Sequence, residues 1–368
     1  MPPSYQLSVS VPPAVSNLLA FSSRGMEELV RSLGLPRYRA RQILRWLYQS
    51  RVRDIQSMTD LSKQERTVLS GCTDIGRLES AGVLTSKDGT KKFLFRLQDG
   101  RLVESVLIPD EGRLTLCVST QIGCTLDCSF CLTGTMGLHR NLKPHEIVDQ
   151  VLTVQDHLDT RETLTNLVFM GMGEPLANFE AVSEAINRLT NRTWGLGFSS
   201  RRITVSTAGL APRLKEMASL GVNLAVSLNA TTDEQRDRLM PAVNRIYPLR
   251  ELMAACRDYP LPPRRRLTFE YVLLAGLNDS RDDAKRLAIL IRGIRCKVNL
   301  IPFNEFPGSE FKRPSEETVL AFQSVLKQAG FEVFVRKSKG RDVLGACGQL
   351  GRSAAASEAL ALTPVQAR

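Results

Sequence analysis

Between Leu114 and Ala329 strand-like runs alternate with helical segments, and this rhythm limits the possible folds more than any other feature of the sequence. The strand-like runs fall at 114–120, 166–172, 202–206, 222–228, 267–274 and 297–303. Segments of helical periodicity follow them at roughly 144–158, 179–191, 211–219, 232–256, 280–292 and 315–329. Repeated β-then-α units predict an α/β fold with a parallel sheet, and a partial (β/α)6 barrel of TIM type is its natural closure. Periodicity alone also admits a doubly wound open sheet. Upstream, Lys92–Leu97 and Leu102–Ile108 flank a turn at Asp99-Gly100, which predicts a β-hairpin extension.

The rest of the 368-residue chain divides around this core. Residues 1–20 read as a Pro- and Ser-dotted tail, 21–85 as a small helical domain, 86–350 as the barrel with its β extensions, and 351–368 as a second, Ala-rich tail. In the helical domain Met26, Leu29, Val30 and Leu33 share one helix face, and Ile43, Leu44 and Leu47 mark a second helix. Arg37, Arg39, Arg41 and Arg45 interleave there with Tyr38, Trp46 and Tyr48. That mixture suits an RNA-binding face, and it equally suits a solvated helix with aromatic core anchors. Lys plus Arg total 49 against 38 Asp plus Glu, a net charge of +11 that favours an anionic partner such as nucleic acid. A basic enzyme without a polymer partner fits the same charge. An apolar share of 43% excludes a mainly disordered chain. No apolar run reaches the ~18 residues of a membrane helix. Because the first basic residue is Arg24, the opening residues lack the charge of a secretory or transit segment. The expectation is a cytoplasmic protein without a membrane partner.

Eight cysteines in such a chain suggest metal binding or catalysis before disulfides. Cys124, Cys128 and Cys131 are spaced C-x3-C-x2-C just after the first strand of the alternation. Closely spaced thiolates select zinc or an iron–sulfur cluster. Three thiolates would leave one iron of a four-iron cluster open to bind something else. The competing reading is a Cys3His zinc site with His139 as fourth ligand. Cys72, Cys117, Cys256, Cys296 and Cys347 are isolated, and a lone cysteine is most often a small buried hydrophobe. His145 and His157 fall in a segment that reads as a surface helix.

C-x3-C-x2-C after the first strand of a partial barrel resembles the signature of the radical S-adenosylmethionine (SAM) superfamily. Gly171-Met172-Gly173-Glu174-Pro175, after the second strand, is similar to its GGE-type motif, in which a carboxylate receives the ammonium of bound methionine. The segments around Cys117–Cys124, Phe169–Leu176, Val205–Gly209, Ile301–Asn304 and Ala346–Leu350 together resemble the RlmN family, dual-specificity methyltransferases of adenine C2 in ribosomal and transfer RNA. The resemblance runs from about Gly25 to Leu350. The related Cfr family, which methylates C8, shares most of these motifs.

The resemblance implies a role for each matching residue. Cys124, Cys128 and Cys131 would hold one [4Fe-4S] cluster; Gly173, Glu174, Ser206, Ser227, Leu228, Asn229 and Asn304 would bind SAM. Asn229 stands where many members have His. The implied chemistry uses two SAM molecules per turnover, because adenine C2 is electron-poor and offers no lone pair to a sulfonium. The first SAM methylates Cys347. The second yields a 5'-deoxyadenosyl radical that activates the S-methyl group for addition to C2. Cys117 then resolves the protein–RNA adduct through a transient disulfide with Cys347, and Glu104 is the proton acceptor. Implied partners are 23S rRNA at the peptidyl-transferase centre, the adenosine adjacent to the anticodon in tRNAs, and an electron donor such as flavodoxin with its reductase, acting on a monomer. RNA contacts are expected from the basic N-terminal helices, from Arg264–Arg266 and from the Arg336–Arg341 stretch. C8 methylation, a zinc-stabilised RNA-binding protein without catalysis, and a radical enzyme for a small molecule are the alternatives.

Overall fold

The structure, a computed structural model, describes residues 15–351, so the expected tails at 1–14 and 352–368 lie outside the described residues. The chain forms two compact units, one running to Arg77 and joined by Arg192–Leu196, the other made of the remainder. In the first unit β1 (Ser16–Asn17) pairs in parallel with β2 (Thr73–Asp74), and α1 (Ser23–Ser32), α2 (Tyr38–Tyr48) and α3 (Lys63–Ser70) intervene. Ser22 starts α1 by accepting from the Gly25 N–H at 3.0 Å, and Ser62 with Glu65 forms a capping box on α3. Met26, Val30, Ile43, Leu44 and Leu47 are buried, as helical spacing predicts. Leu18 and Leu19, expected in a tail, are buried too. Tyr48 belongs to the core, packed 5.6 Å from the Trp194 ring, whereas Tyr38 is exposed. Arg37 and Arg39 are paired with Glu27 and Glu65, and Arg41 and Arg45 stay exposed on α2.

The second unit is organised by a ten-stranded sheet. It begins with β3 (Glu79–Thr85), β4 (Lys91–Arg96), β5 (Leu102–Asp110) and β6 (Arg113–Cys117), which pair antiparallel in succession. After β6, a separate hairpin of β7 (Gln121–Gly123) and β8 (Leu138–Asn141) brackets the short helix α4 (Leu132–Thr135). The sheet continues in parallel from β6 to β9 (Asn166–Phe169), β10 (Ile203–Thr207), β11 (Asn223–Ser227), β12 (Leu267–Leu273), β13 (Cys296–Pro302) and β14 (Val333–Val335). With β3 and β14 as free edges, the sheet remains open. This is an α/β fold, a partial barrel with a β extension.

Helices cross between the parallel strands: α5 (Pro144–Asp156), α6 (Phe179–Thr190), α7 (Leu214–Ala218), α8 (Asp233–Leu239), α9 (Pro241–Ile246), α10 (Leu249–Arg257), α11 (Arg281–Leu290) and α12 (Glu316–Gln328). Three departures from the sequence-based expectation have physical causes. The segment 232–256 is three helices, because Pro241 and Pro248 lack the N–H that a continuous helix needs. β3 pairs with β4 and joins the main sheet, so the break between units falls at Arg77 and not near residue 85. Helix α5 is buried along most of its length, His145 included, and is not a surface helix. Burial holds His145 near a pKa of about 4, well below the usual imidazole value.

Gly123 closes β7 with φ +75°, and a Cβ there would collide with the Gly137 carbonyl oxygen across the hairpin. Gly137 has a similar φ of +66° but open space around it. Gly123→Ala should therefore cost roughly 2–4 kcal/mol of stability, adding overpacking to left-handed strain, and Gly137→Ala only about 1 kcal/mol. Chemical denaturation of both variants checks the difference.

Candidate active site

The carboxyl ends of the parallel strands surround a cavity of about 960 Å³, counting its open mouth. Cys124, Cys128 and Cys131 line it from the loop between β7 and α4. All three are partly buried against Leu126, Phe130, Ala208, Leu239 and Met240. Burial pushes the Cys124 thiol up to about 12 and raises Cys128 and Cys131 as well, so an empty loop keeps its protons until a soft metal displaces them. Among the described residues no three Cys, His, Asp or Glu side chains converge as a single-ion site requires. Three thiols on one cavity wall fit a polynuclear cluster, which takes one thiolate per iron. His139, the candidate zinc ligand, is exposed on β8 and does not line the cavity.

Gly171, Gly173 and Glu174 come next around the rim, after β9. Here the glycines serve packing within the protein. A Cβ on Gly171 would come 2.8 Å from the Val118 carbonyl oxygen, and one on Gly173, at φ +97°, would come 2.8 Å from the Gln121 nitrogen. Glu174 is buried, which raises its pKa, while its oxygens accept from the Leu176 N–H at 3.0 Å and the Ala208 N–H at 2.8 Å. Gln121, which sequence reasoning missed, links this turn to the cysteine loop. Its carbonyl accepts from the Glu174 N–H at 2.9 Å, and its amide donates to Thr125 and Asn141 at 2.7 Å each.

A polar row crosses the sheet at the cavity floor. Ser206 and Ser227 hydroxyls lie 3.4 Å apart on β10 and β11. Ser227 is in register with Glu270 on β12, and Glu270 with Asn299 on β13. Asn299 donates to Glu270 Oε1 at 2.9 Å, whereas the buried Oε2 has no partner although Glu270 lines the cavity. Burial raises the Glu270 pKa against the nearby Arg336 charge. No motif flagged Glu270, because it lies inside an ordinary apolar strand. Asn229 lines the cavity, yet its amide is engaged: Oδ1 accepts from the Val272 N–H at 2.9 Å and Nδ2 donates to the Met240 sulfur. Its φ of +56° is one that Asn tolerates better than most residues. Leu228 is fully buried outside the lining, and its N–H donates to the Glu270 carbonyl.

Cys347 and Arg336 complete the wall. Asn304 Nδ2 donates to the Cys347 carbonyl at 3.1 Å, Gln349 Nε2 to the Glu305 carbonyl at 2.6 Å, and the Leu132 N–H to the Gly348 carbonyl at 2.8 Å. Cys117 lies behind the lining, 7% exposed at the end of β6. Burial pushes its thiol from an ordinary 9.0 up to about 12, with Cys347 raising and Arg336 lowering it, so these groups are electrostatic neighbours. Both thiols are free. The Arg336 charge is strengthened first by Cys347, then by Glu270 and Cys117. This places Arg336 in the cavity wall, not on an RNA-facing surface. Glu104 does not line the cavity; it pairs with buried Lys92 at 3.4 Å and accepts from the Gly351 N–H at 3.0 Å. Arg264–Arg266 precede β12, at the end of the strand away from the cavity, where Arg265 binds the Gly221 carbonyl and Arg266 pairs with Glu332.

Comparison with known proteins places these observations. Residues 118–288 match the model of the radical SAM superfamily, and residues 16–75 match that of the ribosomal RNA large subunit methyltransferase N-terminal domain. The dual-specificity RNA methyltransferase RlmN of Geotalea uraniireducens is 53% identical, with 90% of this chain and 95% of the relative covered. That of Syntrophus aciditrophicus is 50% identical, covering 92% and 97%. The crystal structure of a radical SAM methyltransferase from Sphaerobacter thermophilus superposes with a TM-score of 0.86 at 45% identity, covering 91% of this chain and 98% of that one.

The raised Cys117 pKa has a defined sign. The neutral thiol is favoured in the folded state, so its contribution to stability is complete below pH 9 and is lost as pH climbs towards about 12. At mildly alkaline pH, iodoacetamide should label half-buried Cys72 in the folded apoprotein and spare Cys117 and Cys256 until the chain unfolds. Peptide mass mapping of the labelled cysteines checks this.

Proposed function

The chain belongs to the RlmN family of radical SAM RNA methyltransferases, and we propose that it methylates adenine C2 in 23S rRNA and tRNA through Cys347. The observation that carries this reading is the meeting in one cavity of Cys347 with the three-cysteine loop and the Gly-Glu turn, which are far apart in sequence. In this reading Cys124, Cys128 and Cys131 would each hold one iron of a single [4Fe-4S] cluster, which would leave one iron free for SAM. When bound, the cluster supplies the electron that cleaves SAM reductively.

The protein's own residues divide the remaining work. Glu174 and the Ser206–Ser227 pair orient SAM, and Asn304 holds the Cys347 loop by its carbonyl. Cys347, as thiolate, takes a methyl group from the sulfonium of a first SAM, which leaves as S-adenosylhomocysteine; a second SAM is consumed in each turnover. Arg336 shares the cavity wall with Cys347 and is its electrostatic neighbour there. Cys117, buried near Cys347, releases the methylated RNA by attacking the Cys347 sulfur: the S–S bond forms as the bond from that sulfur to the RNA-bound methylene breaks, the carbon takes up a proton to become the methyl group, and an external reductant reopens the disulfide. Glu104 accepts the C2 proton, and its bond to Gly351 ties it to the Cys347 loop. Exposed Arg41 and Arg45 and the basic stretch after Arg336 contact RNA phosphates. The enzyme works in the cytoplasm as a monomer, supplied with electrons by a flavodoxin-type donor.

Anaerobic incubation of cluster-loaded protein with SAM, a reductant and unmodified rRNA or tRNA should yield 2-methyladenosine on nucleoside mass spectrometry, and Cys347→Ala should yield none. Appearance of 8-methyladenosine would overturn the C2 assignment, and a colourless zinc protein would overturn the mechanism. Arg336→Met should slow S-methylation of Cys347, followed by intact mass, roughly tenfold or more.

A further inference from the structure

Arg236, on α8, is fully buried and has no carboxylate partner among the described residues. Nη1 donates to Asn244 Oδ1 at 2.9 Å and to the Tyr247 carbonyl at 3.0 Å, and Nη2 donates to the Ala208 carbonyl at 2.7 Å. All three acceptors are neutral, and Nε has no acceptor. Of the acids on the same helix Glu234 is exposed, and Asp233 and Asp237 are used elsewhere, accepting from the Leu249 N–H and from Asn244 Nδ2. With Asp233 and Asp237 acting on it only from a distance, the buried charge has no carboxylate in contact to offset its desolvation, so an anion close by would stabilise it.

The surroundings of α8 indicate where that anion belongs. Ala208, the acceptor of Nη2, lines the cavity and holds Glu174 through its N–H. The Leu239 carbonyl at the end of α8 accepts from the Ser129 N–H at 3.0 Å, and the Ala242 N–H donates to Asp127 Oδ1 at 3.0 Å. These bonds grip both neighbours of Cys128. Between them, Leu126, Phe130, Leu239 and Met240 form an apolar packing with little screening of charge. Burial lowers the Arg236 pKa to about 10, which leaves it charged at neutral pH, and of the groups that offset this burial electrostatically Cys128 comes first, ahead of Asp233, Cys256 and Asp237.

We propose that Arg236 is the built-in counter-charge of the iron–sulfur cluster and raises its reduction potential. The inference rests on the cluster assignment of Cys124, Cys128 and Cys131. A [4Fe-4S] core with three thiolates carries a net charge of about −1 when oxidised and about −2 when reduced, so a nearby fixed cation favours the reduced form. The electron that enters comes from the external donor of the reaction, and Arg236 itself neither gains nor loses a proton.

The test is a potentiometric titration of the anaerobically reconstituted protein, followed by electron paramagnetic resonance. Arg236→Gln should move the midpoint to a more negative potential at unchanged iron content, and Arg236→Lys, which keeps the charge, should stay nearer the unaltered protein. An unshifted Arg236→Gln, or an Arg236→Lys shifted as far as Arg236→Gln, would overturn the proposal. Should Arg236→Gln fail to fold, the near-isosteric Asn244→Asp sets a carboxylate against Nη1 and should shift the midpoint the same way; no shift there would sink the idea. Failure of the unaltered protein to take up iron would overturn the cluster assignment itself, and this inference with it.

Discussion

Hydrogen bonds from widely separated parts of the chain hold the Cys347 loop in the cavity wall, and the proposed chemistry depends on them. Leu132 and Thr133 in the cysteine loop, Asn304 and Glu305 after β13, and Lys92 with Glu104 on the β extension all bond the segment from Leu344 to Gly351. Each contact is modest, about 1 kcal/mol net for a neutral pair and more where a charge takes part. Together they hold a glycine-flanked loop, which has little conformational preference of its own, within reach of the cavity. The β extension therefore contributes directly to the site by fixing the far end of this loop.

Charge around the cavity is arranged by depth. Glu174 and Glu270 are buried acids whose pKa values burial raises, and the buried guanidinium of Arg236 faces the opposite cost. Such groups persist where something binds or reacts, because the protein alone would be more stable without them. Glu174 has two backbone donors and is satisfied, whereas Glu270 keeps one oxygen without a partner at the cavity floor. The surface arginines of α2 are a different class, solvated charges that set long-range attraction without shaping the cavity.

The parallel strands and most crossover helices were legible in the sequence, because apolar runs of strand length and helical spacing are local signals. β14 was not, since three residues of Val-Phe-Val become a strand only by pairing with β13. β3 was missed for a similar reason: its Ser, Ala and Gly content carries a weak strand signal that pairing with β4 overrides. In the site, the cysteine loop, the Gly-Glu turn and Cys347 stood out by motif, and the cavity brings them together. Gln121, Glu270 and Arg236 left no trace in spacing or composition, because their importance comes from partners far away in sequence. The basic triplet at Arg264 shows the converse: a charge run announces itself locally, but not which end of a strand it occupies.

The late position of the Cys347 segment bears on how the molecule is made. A ribosome delivers the cysteine loop long before the residues that cap it, and Leu132, Thr133 and Asn304 can find their partners only after Leu350 has emerged. The segment from Leu344 to Gly351 is thus the last piece of the cavity wall to be put in place.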